Sequence, residues 1–239
     1  MSKNIQNIDK DERQVDRIEI DYFTDPLCCW SWAFEPHWRR FINEHKDIIN
    51  WRYRMGGMIK DWKNYNDPFN DISRPAQMGP LWFQVKYTTG VDINPQLWIT
   101  DPPESSIPAC MAVKCAEMQS AAAGDLMLNL LRKAVMIDAK NIAKPEVIFE
   151  LVQKAEEKFQ IINYIRFISD WDSKELKTLI KEDFKKAKLL DIGRFPTLTM
   201  QAADGTGVIL VGYRPYPVLM EAFNYFTEKL KNRNVNLKH

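Results

Sequence analysis

Apolar positions fall into two alternating segments, a long stretch of helical periodicity, and two further alternating segments. Ile18, Ile20 and Tyr22 alternate with Glu19, Asp21 and Phe23, which predicts a strand. Trp30, Phe34, Trp38, Phe41 and Ile42 then recur at helical spacing, with Pro36 inside the run as an expected kink. Ile49, Trp51, Tyr53 and Met55 alternate with Asn50, Arg52 and Arg54, giving a second strand that stops at Gly56-Gly57. Residues 58–104 are rich in Trp, Pro, Asn and Asp and hold one expected helix over 75–87. A helix over 107–123 follows, capped by Ser105 or Ser106 and closed by Gly124. Further helical stretches are expected over 126–139, 145–158 and 161–169. Asp172, with Glu175 three positions on, is expected to cap one that ends near Leu190. Pro196 to Met200 and Val208 to Val211, joined by a turn with Asp204-Gly205, read as an antiparallel hairpin. A last amphipathic helix is expected over 217–230.

This order predicts an α/β protein in which one sheet is split along the chain. Half a sheet cannot bury both faces until the other half joins it, so the helical block between the pairs reads as an insertion into a single core. The expected division is 16–57 with 190–231 for the core and 58–189 for the mainly helical insertion.

Composition narrows the function classes. The chain has 239 residues, 45% hydrophobic and 27% charged, with a net charge of +1. A balance that near to zero gives no general attraction to nucleic acid or to an anionic membrane. No stretch approaches the ~18 uninterrupted apolar residues of a membrane span. Met1 to Arg17 is polar and charged, without the apolar run of a secretory signal, so a cytoplasmic location is expected. There cysteines stay mostly reduced. No Cys/His spacing suggests zinc, and no metal or bound cofactor is expected. Cys110 and Cys115 are about 140° apart on one predicted helix and read as core or groove lining. His37, His45 and His239 have no partner identifiable from the sequence.

The candidate chemistry lies at the seam between the first strand and the first helix, in Asp25-Pro26-Leu27-Cys28-Cys29-Trp30-Ser31-Trp32. A thiol at a helix start faces unsatisfied N–H groups and the positive end of the dipole. Its pKa is therefore expected to fall from about 8.5 by one or more units. Cys28 is the candidate nucleophile. Cys29 is next to it, but neighbouring Cα atoms are roughly 3.8 Å apart, below the usual window of about 4.4–6.8 Å for a disulfide. Cys29 therefore reads as a packed helix residue that, with Trp30, can touch a substrate. Ser31 either caps the helix or hydrogen-bonds the Cys28 sulfur. Arg52, Arg54 and Arg194 are candidates for a glutathione carboxylate or an acidic peptide. Trp51, Tyr53, Trp62, Tyr65, Trp82, Phe83, Tyr87 and Trp98 read mostly as core, with a few rings walling a groove over Cys28.

The stretch from Asp25 to Pro36 resembles the D-P-x-C-x-x-C-[WY]-x-[FG]-x-P signature of DsbA-family proteins, in particular the FrnE-related dithiol–disulfide isomerases. Gly193-Arg194-Phe195-Pro196-Thr197 resembles that family's G-[VT]-P-[TS] segment. The resemblance implies a thioredoxin-like fold with a large helical insertion between the second and third core strands. It also implies a cis Pro196 facing Cys28, and a Phe195-Pro196 edge that holds substrate. The second motif cysteine is Ser31 here, and a hydroxyl cannot close the second disulfide. The implied activity is thus a monothiol thiol–disulfide oxidoreductase or isomerase acting on protein or small-molecule disulfides, with an external thiol such as glutathione resolving a Cys28 mixed disulfide. Leu27-Cys28-Cys29-Trp30-Ser31-Trp32 is also similar to the L-S-P-Y-S-W-like turn of kappa-class glutathione transferases and chromene-carboxylate isomerases. In that setting Cys28 or Ser31 would contact glutathione. Adaptors of the SpxH type share the fold and imply peptide binding without redox turnover.

Overall fold

The computed structural model describes residues 17–236. The residues before Arg17, on which the expected location rested, and His239 lie outside the described residues. The core is a four-stranded sheet of order β2-β1-β3-β4. Its strands are β1 (Ile18–Thr24), β2 (Ile49–Met55), β3 (Thr197–Gln201) and β4 (Gly207–Val211). β1 runs parallel to β2, with Tyr22 opposite Tyr53, and antiparallel to β3, with Tyr22 opposite Leu198. β3 and β4 form the expected hairpin.

A parallel β1–β2 pair needs a crossover, which α1 (Cys29–His45) supplies with Pro36 inside it. Phe34 and Trp38 of α1 pack on Tyr22 with ring centroids at 5.8 and 4.9 Å. Phe41 meets Phe223 of α9 (Tyr216–Asn236) edge-on, so α1 and α9 share one face of the sheet. The other face is covered too. Phe23 is therefore buried despite its alternate position, and the polar Asp21 beside it is nearly so. Asp21 accepts from Arg52 Nε at 2.7 Å and Arg54 Nε at 3.0 Å, which offsets the cost of its burial.

Between β2 and β3 lie α2 (Met78–Thr89), led by a 3-10 turn at Pro75–Gln77, and α3 (Leu97–Thr100). α4 (Ile107–Glu117), α5 (Ala121–Met136), α6 (Pro145–Phe159), α7 (Tyr164–Asp170) and α8 (Lys174–Leu189) follow. The expected α/β fold with a helical insertion between the second and third strands is what the chain forms. At three helix starts the structure differs from expectation because a local cap wins. Ser120 Oγ accepts from Ala123 N at 3.0 Å and starts α5, so the run over 107–123 is broken. Asn163 Oδ1 accepts from Arg166 N at 2.7 Å and starts α7 at Tyr164. Ser173 Oγ, not Asp172, accepts from Leu176 N at 3.0 Å and starts α8.

Gly124 closes no helix. It lies inside α5, where a Cβ would sit 2.8 Å from Glu117 Cβ and 3.1 Å from Glu117 Cα. The glycine lets the start of α5 approach the end of α4. Gly124→Ala is therefore expected to lower the melting temperature, although alanine is the better helix former by about 1 kcal/mol. The overpacking against Glu117 should outweigh that gain, with a net loss of about 1–2 kcal/mol by thermal unfolding. A rise in melting temperature would show that α4 and α5 separate freely.

Candidate functional site

Cys28 is the N-cap of α1, with extended backbone angles of φ −78° and ψ 109°. Its Sγ accepts from Ser31 N at 3.4 Å, the bond a capping serine or aspartate would make. The thiol in turn donates to the carbonyl oxygen of Phe195 at 3.4 Å. The Phe195–Pro196 bond is cis. The two motifs, 167 residues apart, are thus joined through one sulfur. Pro196 is buried at the start of β3, beside Phe34.

The Phe195 ring lies flat against the end of β2. A Cβ on Gly56 would fall 2.2 Å from that ring, so only glycine admits it. Gly56 N also donates to Thr24 O at 2.7 Å, tying the β2 end to the strand that leads into the Cys28 turn.

A cleft of about 690 Å³ opens over Cys28, within the size range of small-ligand sites. Its walls include Cys29 and Trp30 from α1, Tyr65 and Phe69 from the segment after β2, Trp82 from α2, and Phe195. Of the eight aromatic residues singled out in the sequence, Tyr65 and Trp82 reach the cleft, while Phe83 and Tyr87 are exposed. Trp62 and Trp98 pack into the insertion, Trp62 with its Nε1 donating to Pro103 O at 2.8 Å. Arg194 also lines the cleft, its guanidinium 4.1 Å from the centre of the Phe69 ring. Arg52 and Arg54 do not, because Asp21 holds both and Asp183 takes the second from 2.9 Å. They are corrected from ligand candidates to sheet-edge ion pairs. Arg214 and Tyr213, which sequence patterns did not mark, complete the cleft from the β4 side. Tyr213 OH lies 3.1 Å from His37 Nε2, giving that histidine its partner.

The expectation of a depressed Cys28 pKa is not met. Burial pushes the thiol up, the Ser31 hydroxyl and backbone N–H oppose this, the Asp25 charge adds to the rise and Arg132 counters it. The helix start therefore acts against a larger desolvation effect. Ser31 Oγ is wholly buried and makes no well-formed hydrogen bond among the described residues, yet its hydroxyl favours the thiolate. Cys28 rather than Ser31 caps the helix, and the well-formed hydrogen bond to the sulfur comes from the Ser31 backbone N–H. Burial raises the other thiols as well: Cys29 and Cys110 go well above their ordinary value and Cys115 goes to about 12. Cys110 and Cys115 are core residues, not cleft lining.

Asp25 opens the motif that carries Cys28. The structure buries it completely and surrounds it with donors: Leu27 N at 2.9 Å, Met58 N at 2.7 Å, Ser106 Oγ at 2.8 Å and Cys110 Sγ at 3.4 Å. No local signal marks this, because three of the four donors lie 33 to 85 positions away.

Among the described residues no cluster of three or more His, Cys, Asp or Glu side chains is placed to hold a metal. No helix among them is long and apolar enough to cross a membrane.

A strand, a cysteine-capped helix and a cis Phe195–Pro196 bond whose Phe195 carbonyl meets the sulfur, with helices inserted after the second strand, define a DsbA-like thioredoxin fold. The family model described as Thioredoxin matches residues 22–221, and the chain belongs to that family. Among curated proteins it is similar to the ClpXP adapter protein SpxH of Halalkalibacterium halodurans, 26% identical over 215 residues. That match covers 88% of this chain and 69% of the relative, and the match to SpxH of Shouchella clausii covers 65% of its length. Among solved structures, a candidate protein disulfide isomerase from Nitrosomonas europaea superposes with a TM-score of 0.74 at 20% identity, over 90% of this chain and 99% of that one. The cytosolic disulfide reductase DsbM from Pseudomonas aeruginosa gives 0.64 at 18% identity, over 90% and 98%.

Proposed function

We propose that the chain is a monothiol thiol–disulfide oxidoreductase of the cytoplasm in which Cys28 is the nucleophile. The observation that carries the reading is the Cys28 sulfur set between the Ser31 N–H and the Phe195 carbonyl at the floor of an open cleft. The N–H favours developing thiolate, and the Phe195 carbonyl is freed to accept from a substrate backbone N–H once the thiol has lost its proton. The Cys28 thiolate attacks one sulfur of a client disulfide. That S–S bond breaks, the second client sulfur leaves as a thiolate and takes up a proton, and Cys28 holds the first as a mixed disulfide. A thiolate from glutathione or another small thiol then attacks the client sulfur and returns Cys28 as thiolate. Arg194 and Arg214 line the cleft and suit a carboxylate on the ligand. DsbM, a structural neighbour, has also been crystallised with GSH. Cys29 and Trp30 flank the attacking sulfur as substrate contacts.

The test is to incubate the protein with oxidised glutathione or a peptide disulfide and map adducts by mass spectrometry. A mixed disulfide on Cys28, released by added glutathione and absent in Cys28→Ala, is the expected result. Adducts spread over all four cysteines, or none at Cys28, would remove the reading.

A second reading is favoured by Ser31 in place of a resolving thiol together with the similarity to SpxH adapters: a peptide-holding adaptor that uses the same cleft. In that case Cys28→Ser binds a client peptide as tightly as the native chain does. A drop in capture with Cys28→Ser favours the oxidoreductase.

A further inference from the structure

We propose that Asp25 is a positioning residue for Cys28: its buried carboxyl group clamps the turn carrying the thiol to the helical insertion and sets a negative charge beside the place where a thiolate would form. The inference rests on the reading of Cys28 as nucleophile. Asp25 ties three parts of the chain to one carboxyl group. Leu27 N belongs to the Cys28 turn, Met58 N to the segment after β2 that walls the cleft, and Ser106 and Cys110 to the start of α4. The Cys28 N–H also donates to the Asp25 backbone carbonyl at 3.0 Å.

All four side-chain partners donate, and two are backbone N–H groups that can do nothing else. That set suits the acceptor-only carboxylate. One buried negative charge makes a second, on the Cys28 sulfur, harder to form. The charged and titratable groups around the buried side of the thiol are Cys29, Cys110, Tyr65, Asp183 and Arg132, while Lys60, Asp61, Asp67, Arg194 and Arg214 line the cleft that opens over it. On the buried side Arg132 is the cation, and Asp183 is already paired with Arg54 and Lys114. Burial pushes the Asp25 carboxyl up while its four donors pull it down. With Asp25 ionised, the Cys28 proton is harder to remove.

The experiment is Asp25→Asn in the full chain, with iodoacetamide alkylation of Cys28 followed across pH and assigned by tandem mass spectrometry. The midpoint is expected to fall by about one pH unit, with alkylation at pH 7 faster on the order of tenfold and the high-pH plateau unchanged. A midpoint that stays or rises overturns the proposal. A higher plateau with the midpoint unmoved does so as well, since easier access to the sulfur then accounts for the faster alkylation. Should Asp25→Asn not fold, Asp25→Ser serves in its place. It removes the same charge and keeps a hydroxyl for one of the donors, so the Cys28 midpoint is expected to fall as well. An unmoved or raised midpoint in folded Asp25→Ser overturns the proposal equally. Alkylation reads the thiol alone, so native protein that forms no mixed disulfide would end the oxidoreductase reading without touching this result.

Discussion

Ser31→Cys is expected to release the mixed disulfides proposed for Cys28 without help from a small thiol. Ser31 is three residues beyond Cys28 in the first turn of α1, with its N–H already 3.4 Å from the sulfur. Its Oγ is fully buried and makes no well-formed hydrogen bond among the described residues, so sulfur in its place breaks none. The introduced thiol can attack the Cys28 side of a mixed disulfide, expel the client as a thiol and leave an internal disulfide. Turnover then needs a reductant to reopen that bond, but no small thiol to free the client. Because the resolving step becomes intramolecular, release without added glutathione should accelerate on the order of tenfold or more, and the advantage should shrink as glutathione is added. The measurement is single-turnover release of a fluorescent peptide from Cys28, with Cys28→Ala as the blank. If Ser31→Cys folds and its Cys28 reacts, yet no internal disulfide forms, the two positions do not face each other and the adaptor reading gains.

The strands and the Cys28 turn were legible in the sequence because their signals are local. Period-2 alternation places β1 and β2, and one X-Pro step starts β3. The helix breaks at Ser120, Asn163 and Ser173 were less so: several polar residues near each break can cap, and the choice depends on how the flanking helices pack. Gly124 looked like a terminator and is instead a contact surface for Glu117. The sulfur's environment was least legible. A helix N-terminus is readable from pattern, whereas burial comes from the assembled fold. The elements that close around Cys28 include Phe195, 167 positions away, and the Asp25 donors on α4. The local argument therefore placed Cys28 correctly at the helix start and had the wrong direction for its pKa.

Arg132 offers the complementary test, because it places the opposite charge near the same sulfur. It is wholly buried on α5, donates to Thr24 Oγ1 at 2.5 Å and is paired with Glu35, one turn beyond Ser31 on α1. Glu35 also holds Arg39 at 2.5 Å, and Arg39 reaches Asp125, which takes a further bond from Tyr53 OH at 2.8 Å. Two cations and two carboxylates thus balance behind the Cys28 helix. Arg132→Met leaves Glu35 short of one partner in a dry site and is expected to lower stability by about 3–5 kcal/mol. The pair Arg132→Met with Glu35→Leu should lose less than the sum of the single changes, since neither charge is then stranded. Removing the cation also disfavours the thiolate, so the Cys28 alkylation midpoint should rise in Arg132→Met, the reverse of its fall in Asp25→Asn. General loosening of the core would admit water and lower the midpoint in both variants. Opposite shifts separate charge from disorder. If Arg132→Met stays folded and its midpoint falls, packing rather than the Asp25 and Arg132 charges governs the thiol.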